Sequence, residues 1–334
     1  MRAPEFWHEP PGLIAGLLAP FGIAFDAASR LRRAVARPYR APVPVICVGN
    51  LVAGGSGKTP VVLSLAELLK ARGMAPHVVT RGYGGRLAGP VRVDANLHDA
   101  ADVGDEPMLI AARAPCWVAR DRAAGVRAAV LAGAEAILLD DGFQNPSVAK
   151  DLSLVVVDAG YGFGNRCVIP AGPLREPVGA GLARAHAIVS ISGEAEAHEL
   201  DTASCPTLAA ELSPIDGERF AGTRVVAFAG IGRPAKFFDT LRALGAELVL
   251  EQPFPDHHAF RDSEIARLRE IAAREAARLV TTAKDWVRLP AQLRADIEVL
   301  EVEIRWRDPA AVERLIADGL SPHHDGSEPG AHSG

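Results

Sequence analysis

The stretch Val48–Val61, VGNLVAGGSGKTPV, decides how the rest of the chain is read. The overlapping run Val43–Asn50 is β-branched and apolar, which suits a buried strand. Downstream, Lys58–Arg72 places Val61, Leu65, Leu68 and Leu69 on one helical face. A strand, a glycine-rich turn and a helix in that order form an anion cradle. Gly54, Gly55 and Gly57 let the backbone turn its N–H groups toward phosphate. Lys58 has the reach for β- and γ-phosphates, and the Thr59 hydroxyl suits Mg²⁺. The common pattern, G-x-x-x-x-G-K-[ST], would have its first glycine where Val52 stands. Val52 falls where the chain leaves the strand, so it need not face phosphate. The expected nucleotide-binding segment is Gly54, Gly55, Ser56, Gly57, Lys58, Thr59 and Pro60.

Working outward, further apolar runs read as strands: His77–Gly82, Cys116–Ala119, Ala136–Gly142, Leu152–Gly160 and Ala187–Ser192. Helical patterns separate them, which predicts an α/β fold: a mostly parallel sheet covered by helices. A second β–α series starts at Thr223–Pro234 and ends on one strand over Ala295–Trp306, with a helix over Asp262–Ala277 between. The turn-rich segment 213–222 marks the expected boundary. The expected organisation is an N-terminal segment (1–40), a phosphate-loop domain (41–212), a smaller α/β domain (213–320) and a disordered tail (321–334).

The chain has 334 residues, 49% of them hydrophobic, and a formal net charge of −5, which argues against nucleic-acid binding. The four cysteines, Cys47, Cys116, Cys167 and Cys205, form no C-x-x-C pair and read as structural thiols. Near the N-terminus, the apolar run Gly12–Phe25 precedes Arg30, Arg32, Arg33, Arg37 and Arg40. The run is short for a bilayer and Pro20 interrupts it; a signal peptide would carry its charge first. A helix packed on the body and an interfacial helix on an anionic membrane surface both fit.

Other motifs offer chemistry. AILLDDGFQ (Ala136–Gln144) ends a strand in Asp140 and Asp141, the place where acids beside a phosphate loop hold Mg²⁺. The two side chains should face opposite ways. VGDEP (Val103–Pro107) sets Asp105 and Glu106 before a helix expected to start at Pro107, as caps or as a base or metal group. PFPDHHAF (Pro253–Phe260) gathers Asp256, His257 and His258 in a turn. RGYGGR (Arg81–Arg86) and PAGPLREP (Pro170–Pro177) are arginine-bearing loops that suit phosphate on an acceptor.

The series VGNLVAGGSGKTP, TRGYGG, VGDEP, LLDDGFQ, IPAGPLREP, FAGIGRP, FPDHHAF and TTAKDWVRL, in one order over residues 48–289, resembles the tetraacyldisaccharide 4'-kinase family. One departure is Ala283, where the family more often carries an acidic residue. The resemblance implies transfer of the ATP γ-phosphate to the 4'-hydroxyl of tetraacyldisaccharide 1-phosphate in lipid A biosynthesis. It implies a peripheral monomer at the cytoplasmic face of the bacterial inner membrane, with the N-terminal helix on the lipid. Carried onto this sequence, Asp105 is the base toward the hydroxyl and His257 its partner. Lys58 serves catalysis, and Thr59, Asp140, Asp141 and Glu106 serve Mg²⁺. Arg175, Arg120 and Arg81 are the candidates for substrate phosphate. Rival readings are a nucleotide switch or metallochaperone, a soluble small-molecule kinase, and a membrane-bound nucleotide sensor. The absence of N-K-x-D disfavours a guanine-specific switch.

Overall fold

The computed structural model describes residues 4–191 and 205–320; the expected disordered tail at 321–334 lies outside them. The helix α1 (Leu13–Val35) comes first, after a short 3₁₀ turn at Glu5–Trp7. Then follow β1 (Val45–Gly49), α2 (Lys58–Ala71), β2 (Pro76–Thr80), β3 (Val91–Arg92), α3 (Ala100–Val103), α4 (Asp105–Ala111) and β4 (Cys116–Val118). Next are α5 (Arg122–Leu131), β5 (Ala136–Asp140), β6 (Leu152–Asp158), α6 (Val178–Leu182), β7 (Ala187–Ile191) and β8 (Thr207–Pro214). A second set comprises β9 (Arg224–Ala229), α7 (Pro234–Ala243), β10 (Glu247–Pro253), α8 (Asp262–Arg274), β11 (Arg278–Thr282), α9 (Ala283–Arg288) and β12 (Ile297–Leu300). The chain closes with β13 (Val302–Trp306) and α10 (Pro309–Leu320).

The larger sheet has nine strands in the order β13-β8-β7-β6-β1-β5-β2-β4-β3. Only β13 against β8 and β3 against β4 pair antiparallel. Along β1, Ile46 and Val48 face a core with Val61, Leu65 and Leu69 of α2. Val45 and Cys47 face the opposite core, with Val126 and Ala129 of α5. That alternation lets one short strand hold both helical layers. β1 pairs in parallel with β5 on one side and β6 on the other, and the strand order turns there, with β2 and β4 on one side and β6, β7 and β8 on the other. Ligand crevices in such sheets open at this switch point, beyond the strand's C-terminal end.

The smaller sheet, β10-β9-β11-β12, is wholly parallel. Helix α8 covers one face through Ile265 and Leu268, and α7 covers the other through Phe237, Phe238 and Leu241.

Three expectations about elements change. The single strand read over Ala295–Trp306 is two, split at Glu301. Ile297 is buried in the smaller unit's core, whereas Ile304 is buried in the larger one's. The 213–320 unit is therefore not contiguous in space. Trp306 donates Nε1–H to Ser64 Oγ on α2 at 2.8 Å, and α10 buries Val312 and Ile316 in the larger core. The expected helix to Ala277 stops at Arg274, and Ala276 turns into the left-handed region. Pro20 does not interrupt α1, which runs unbroken for 23 residues and meets the length and composition needed to cross a membrane.

The cysteines are free, with Cys47, Cys116 and Cys205 buried, as expected of structural thiols. Burial pushes the Cys47 thiol up to about 11, which keeps it unreactive.

Candidate active site

The phosphate loop leaves β1 at the switch point. Gly57 sits at φ +80°, a left-handed conformation that favours glycine. Gly54 and Gly55 are exposed at the loop's outer edge. Val52 is buried and makes an antiparallel bridge with Leu174. Its neighbours extend that bridge: Ala53 N donates to Pro173 O at 2.8 Å, and Arg175 N donates to Leu51 O at 2.7 Å. Val52 thus stitches the loop to the PAGPLREP segment and takes no part in the cradle. Val52→Gly would restore the common pattern at the cost of a buried side chain. It should lower stability by about 1–3 kcal/mol with no gain in ATP affinity, read by thermal melts and nucleotide titration.

Lys58 opens α2 and lies 3.7 Å from Asp141 Oδ1. Burial draws its ammonium below the ordinary value, partly offset by Asp141. Asp141 sits just past β5 at φ +52°, an uncommon conformation for a residue with a Cβ. Arg175 Nη1 donates to its Oδ1 at 2.9 Å. Burial pushes the Asp141 carboxyl up, but Lys58 and Arg175 outweigh it and the net shift is downward. Asp140, the last residue of β5, is buried and raised by desolvation. Thr80 Oγ1 donates to Asp140 Oδ2 at 3.1 Å, while Oδ1 is buried with no partner among the described residues. Ser56 Oγ is orphaned in the same way.

These orphans are what a Mg²⁺ site would supply with a partner. Among the described residues no three His, Cys, Asp or Glu groups gather as a metal cage. Mg²⁺ with a nucleotide is ordinarily held by one or two carboxylates plus phosphate oxygens, so the donor set fits. Asp140 has the free oxygen, whereas Asp141 is committed to two cations.

The second cluster spans both sheets. Asp105 does not precede α4 but begins it, after Gly104 at φ +94°, where a Cβ would lie 2.5 Å from Tyr83 O. Asp105 is 3% exposed. Its Oδ1 accepts from Glu106 N at 3.1 Å. Its Oδ2 accepts from Arg288 Nε at 2.8 Å and also from Arg288 Nη2, and lies 3.2 Å from His257 Nδ1 and 3.7 Å from Lys284 Nζ. Burial works to raise this carboxyl, yet His257, Lys284 and Arg288 together hold it far below the usual range. Glu106 moves the other way, up to about 7, through burial and the neighbouring Asp105, although Lys284 stands 2.7 Å away. Glu106 therefore faces a lysine rather than an open space.

His257 adopts φ +57° on the turn after β10, and its ring lies 5.7 Å from that of Tyr83. His258 bonds to Glu264 at 2.9 Å and stacks on Phe254, a local role at the start of α8. Asp256 stays near His257, at 3.9 Å.

Arg288, Lys284 and Asp285 carried no role in the sequence reading. Their signal is the spacing: Lys284 and Arg288 are four apart on α9, so both reach Asp105. Arg288 is further fixed by Asp285 Oδ1 at 3.0 Å and Gly230 O at 2.7 Å. Arg122 likewise has no motif in the sequence to mark it. It is buried at the start of α5, its Nε unpartnered, within the field of Asp140 and Asp141. Arg81 and Arg120 are exposed just past β2 and β4, on the same edge as the loop. No side-chain bond fixes either one among the described residues.

The family model described as "Tetraacyldisaccharide-1-P 4'-kinase" matches residues 14–321. A tetraacyldisaccharide 4'-kinase of Rhodospirillum centenum is 55% identical over 333 residues, covering 97% of this chain and 98% of that one. One of Dinoroseobacter shibae is 55% identical over 335 residues, with the same coverage. Among solved structures, an "apo" form of LpxK from Aquifex aeolicus in complex with ATP superposes with a TM-score of 0.76 at 26% identity, covering 92% of this chain and all of that one. With a phosphate loop at the switch point and a match over nearly the whole chain, this protein belongs to the tetraacyldisaccharide-1-P 4'-kinase family.

Proposed function

We propose that this chain transfers the γ-phosphate of ATP to the 4'-hydroxyl of a tetraacyldisaccharide 1-phosphate, giving ADP and the 4'-phosphorylated lipid. The observation that carries the reading is the meeting of Asp105 and His257, 152 residues apart in the chain, at 3.2 Å on the edge where the phosphate loop opens. Loop amides and Lys58 hold the transferring phosphate. Thr59 and Asp140 would hold Mg²⁺, which when bound neutralises charge developing on the phosphate oxygens. Asp105 orients the acceptor hydroxyl and takes its proton late, since phosphoryl transfer passes through a loose transition state. Arg288 and Lys284 keep Asp105 ionised, and His257 fixes which way it points. Arg175 holds Asp141 beside Lys58, while Arg81 and Arg120 are free to meet acceptor phosphate. All these groups come from one chain, so a monomer suffices.

Helix α1 supports an amphiphilic acceptor. Ala15 and Gly22 face the body, and a Cβ on Gly22 would lie 2.8 Å from Val168 O. Leu17 (77% exposed) and Phe21 (64% exposed) stand on the opposite side, with Leu13, Phe25 and Leu31. We read this face as lying on the cytoplasmic surface of the inner membrane. Not all the arginines face lipid: Arg30 pairs with Asp26, and Arg32 and Arg33 reach the protein body. Each buried apolar side chain contributes about 1.5–3 kcal/mol. Leu17→Asp with Phe21→Asp should therefore cut partitioning onto anionic vesicles at least about tenfold in a flotation assay. Unchanged flotation would return α1 to simple packing. The reaction itself is tested with γ-labelled ATP, Mg²⁺ and tetraacyldisaccharide 1-phosphate in mixed micelles. Label should enter the lipid phase; label released only as inorganic phosphate would sink the acceptor assignment.

A further inference from the structure

Glu176, next to last in the PAGPLREP loop, is fully buried. Its carboxylate lies between two arginines: Arg184 Nη2 pairs with Oε2, and Arg33 Nη1 of α1 stands 3.5 Å from the same oxygen. Its other oxygen, Oε1, accepts from Gln144 Nε2 at 3.1 Å. That amide nitrogen also donates to Asn50 O, at the root of the phosphate loop, at 2.9 Å. The Gln144 carbonyl oxygen then lies 3.5 Å from Arg175 Nη1, which donates to Asp141, which in turn stands beside Lys58. Arg32 of α1 donates to the backbone O of the same Gln144.

A chain of polar contacts thus runs from the basic end of α1 to the phosphate-loop lysine. Burying a carboxylate costs several kcal/mol unless its partners are well placed, and well-packed apolar residues often replace buried ion pairs with no loss of stability. A buried ion pair is thus weak evidence for a purely stabilising role. What the charge does supply is direction. Together with Asn50 O, Glu176 fixes which way the Gln144 amide points, because both oxygens can only accept and so must face the NH₂ side. The carbonyl side is thereby turned to Arg175. With its amide flipped, Gln144 would present N–H groups to a guanidinium, and Arg175 would lose its second anchor.

We infer that Glu176 is a positioning residue: through Gln144 it sets Arg175 and Asp141 beside Lys58, and through Arg33 it ties that arrangement to the apolar helix α1. The inference rests on the phosphate-loop reading above but not on the identity of the acceptor.

The test measures affinity for a fluorescent non-hydrolysable ATP analogue with Mg²⁺, together with melting temperature, in full-length Glu176→Gln, Gln144→Ala and Arg33→Ala. Glu176→Gln keeps the shape and removes the fixed polarity, so it should weaken nucleotide binding at least about fivefold. Gln144→Ala should do the same with the Glu176–Arg184 pair left intact. Arg33→Ala should give a smaller loss, about two- to threefold. If Glu176→Gln does not fold, Gln144→Ala and Arg33→Ala decide the matter. Lower melting temperatures with wild-type nucleotide affinity in all folded variants would overturn the proposal and leave a purely structural ion pair. Nucleotide affinity is read apart from lipid labelling. If the wild type binds the analogue but labels no lipid, the acceptor assignment fails and this inference still stands or falls on its own result.

Discussion

Replacing Lys58 with alanine is expected to cut lipid phosphorylation at least about 10²-fold, taking the lower end of what one charge-stabilising group supplies. Lys58 is the cation placed at the first turn of α2, and burial strengthens its interaction with any anion that enters. The loss should fall mainly on kcat, because charge on the phosphate oxygens develops most in the transition state. The fold should survive, since Asp141 keeps its Arg175 partner at 2.9 Å. Near-normal kcat at saturating ATP and lipid would remove Lys58 from the chemistry.

Replacing Asp105 with alanine should produce a loss of at least the same size, about 10²-fold or more. This substitution also removes a carboxylate from Arg288, whose side chain is 7% exposed, and from Lys284, leaving them Asp285 and Glu106. Breaking a buried pair from one side costs about 3–5 kcal/mol, so Asp105→Asn is the needed companion. The amide keeps the volume and an acceptor oxygen but cannot take a proton. Loss of kcat in both variants, with Asp105→Asn still folded, assigns the effect to chemistry. Wild-type kcat in Asp105→Asn would end the base assignment. The same variant has a second reading. The native Asp105 carboxyl is held below its unfolded value near 3.8. Its contribution to stability is therefore complete above that value and is lost as pH falls through and below it. Melting temperature between about pH 5 and pH 3 should accordingly fall less steeply in Asp105→Asn than in the wild type.

Most of the larger sheet was legible because buried parallel strands are written as continuous apolar runs, as in Ala136–Asp140 and Leu152–Asp158. The two-residue β3 is too short for any periodicity, and β8 mixes buried and exposed positions. The split at Glu301 is hidden for a different reason. Ile297, Leu300 and Ile304 look alike in one dimension, and only the partner sheet distinguishes them.

The sequence by itself determined the strand, glycine-rich turn and helix of a phosphate loop. Contacts within Gly54–Thr59 are local, so spacing and residue type suffice to specify the cradle. It also marked Asp105 and His257, by the order of motifs that the family shares. What only the tertiary structure decided are the long-range partners. The role of Val52 depends on Leu174, that of Asp105 on Arg288 and Lys284 from the other sheet, and that of Arg33 on a carboxylate 143 residues away. A charged side chain shows its sign in the sequence. Which opposite charge it meets is fixed by how the two sheets and α1 pack, and no local pattern encodes that.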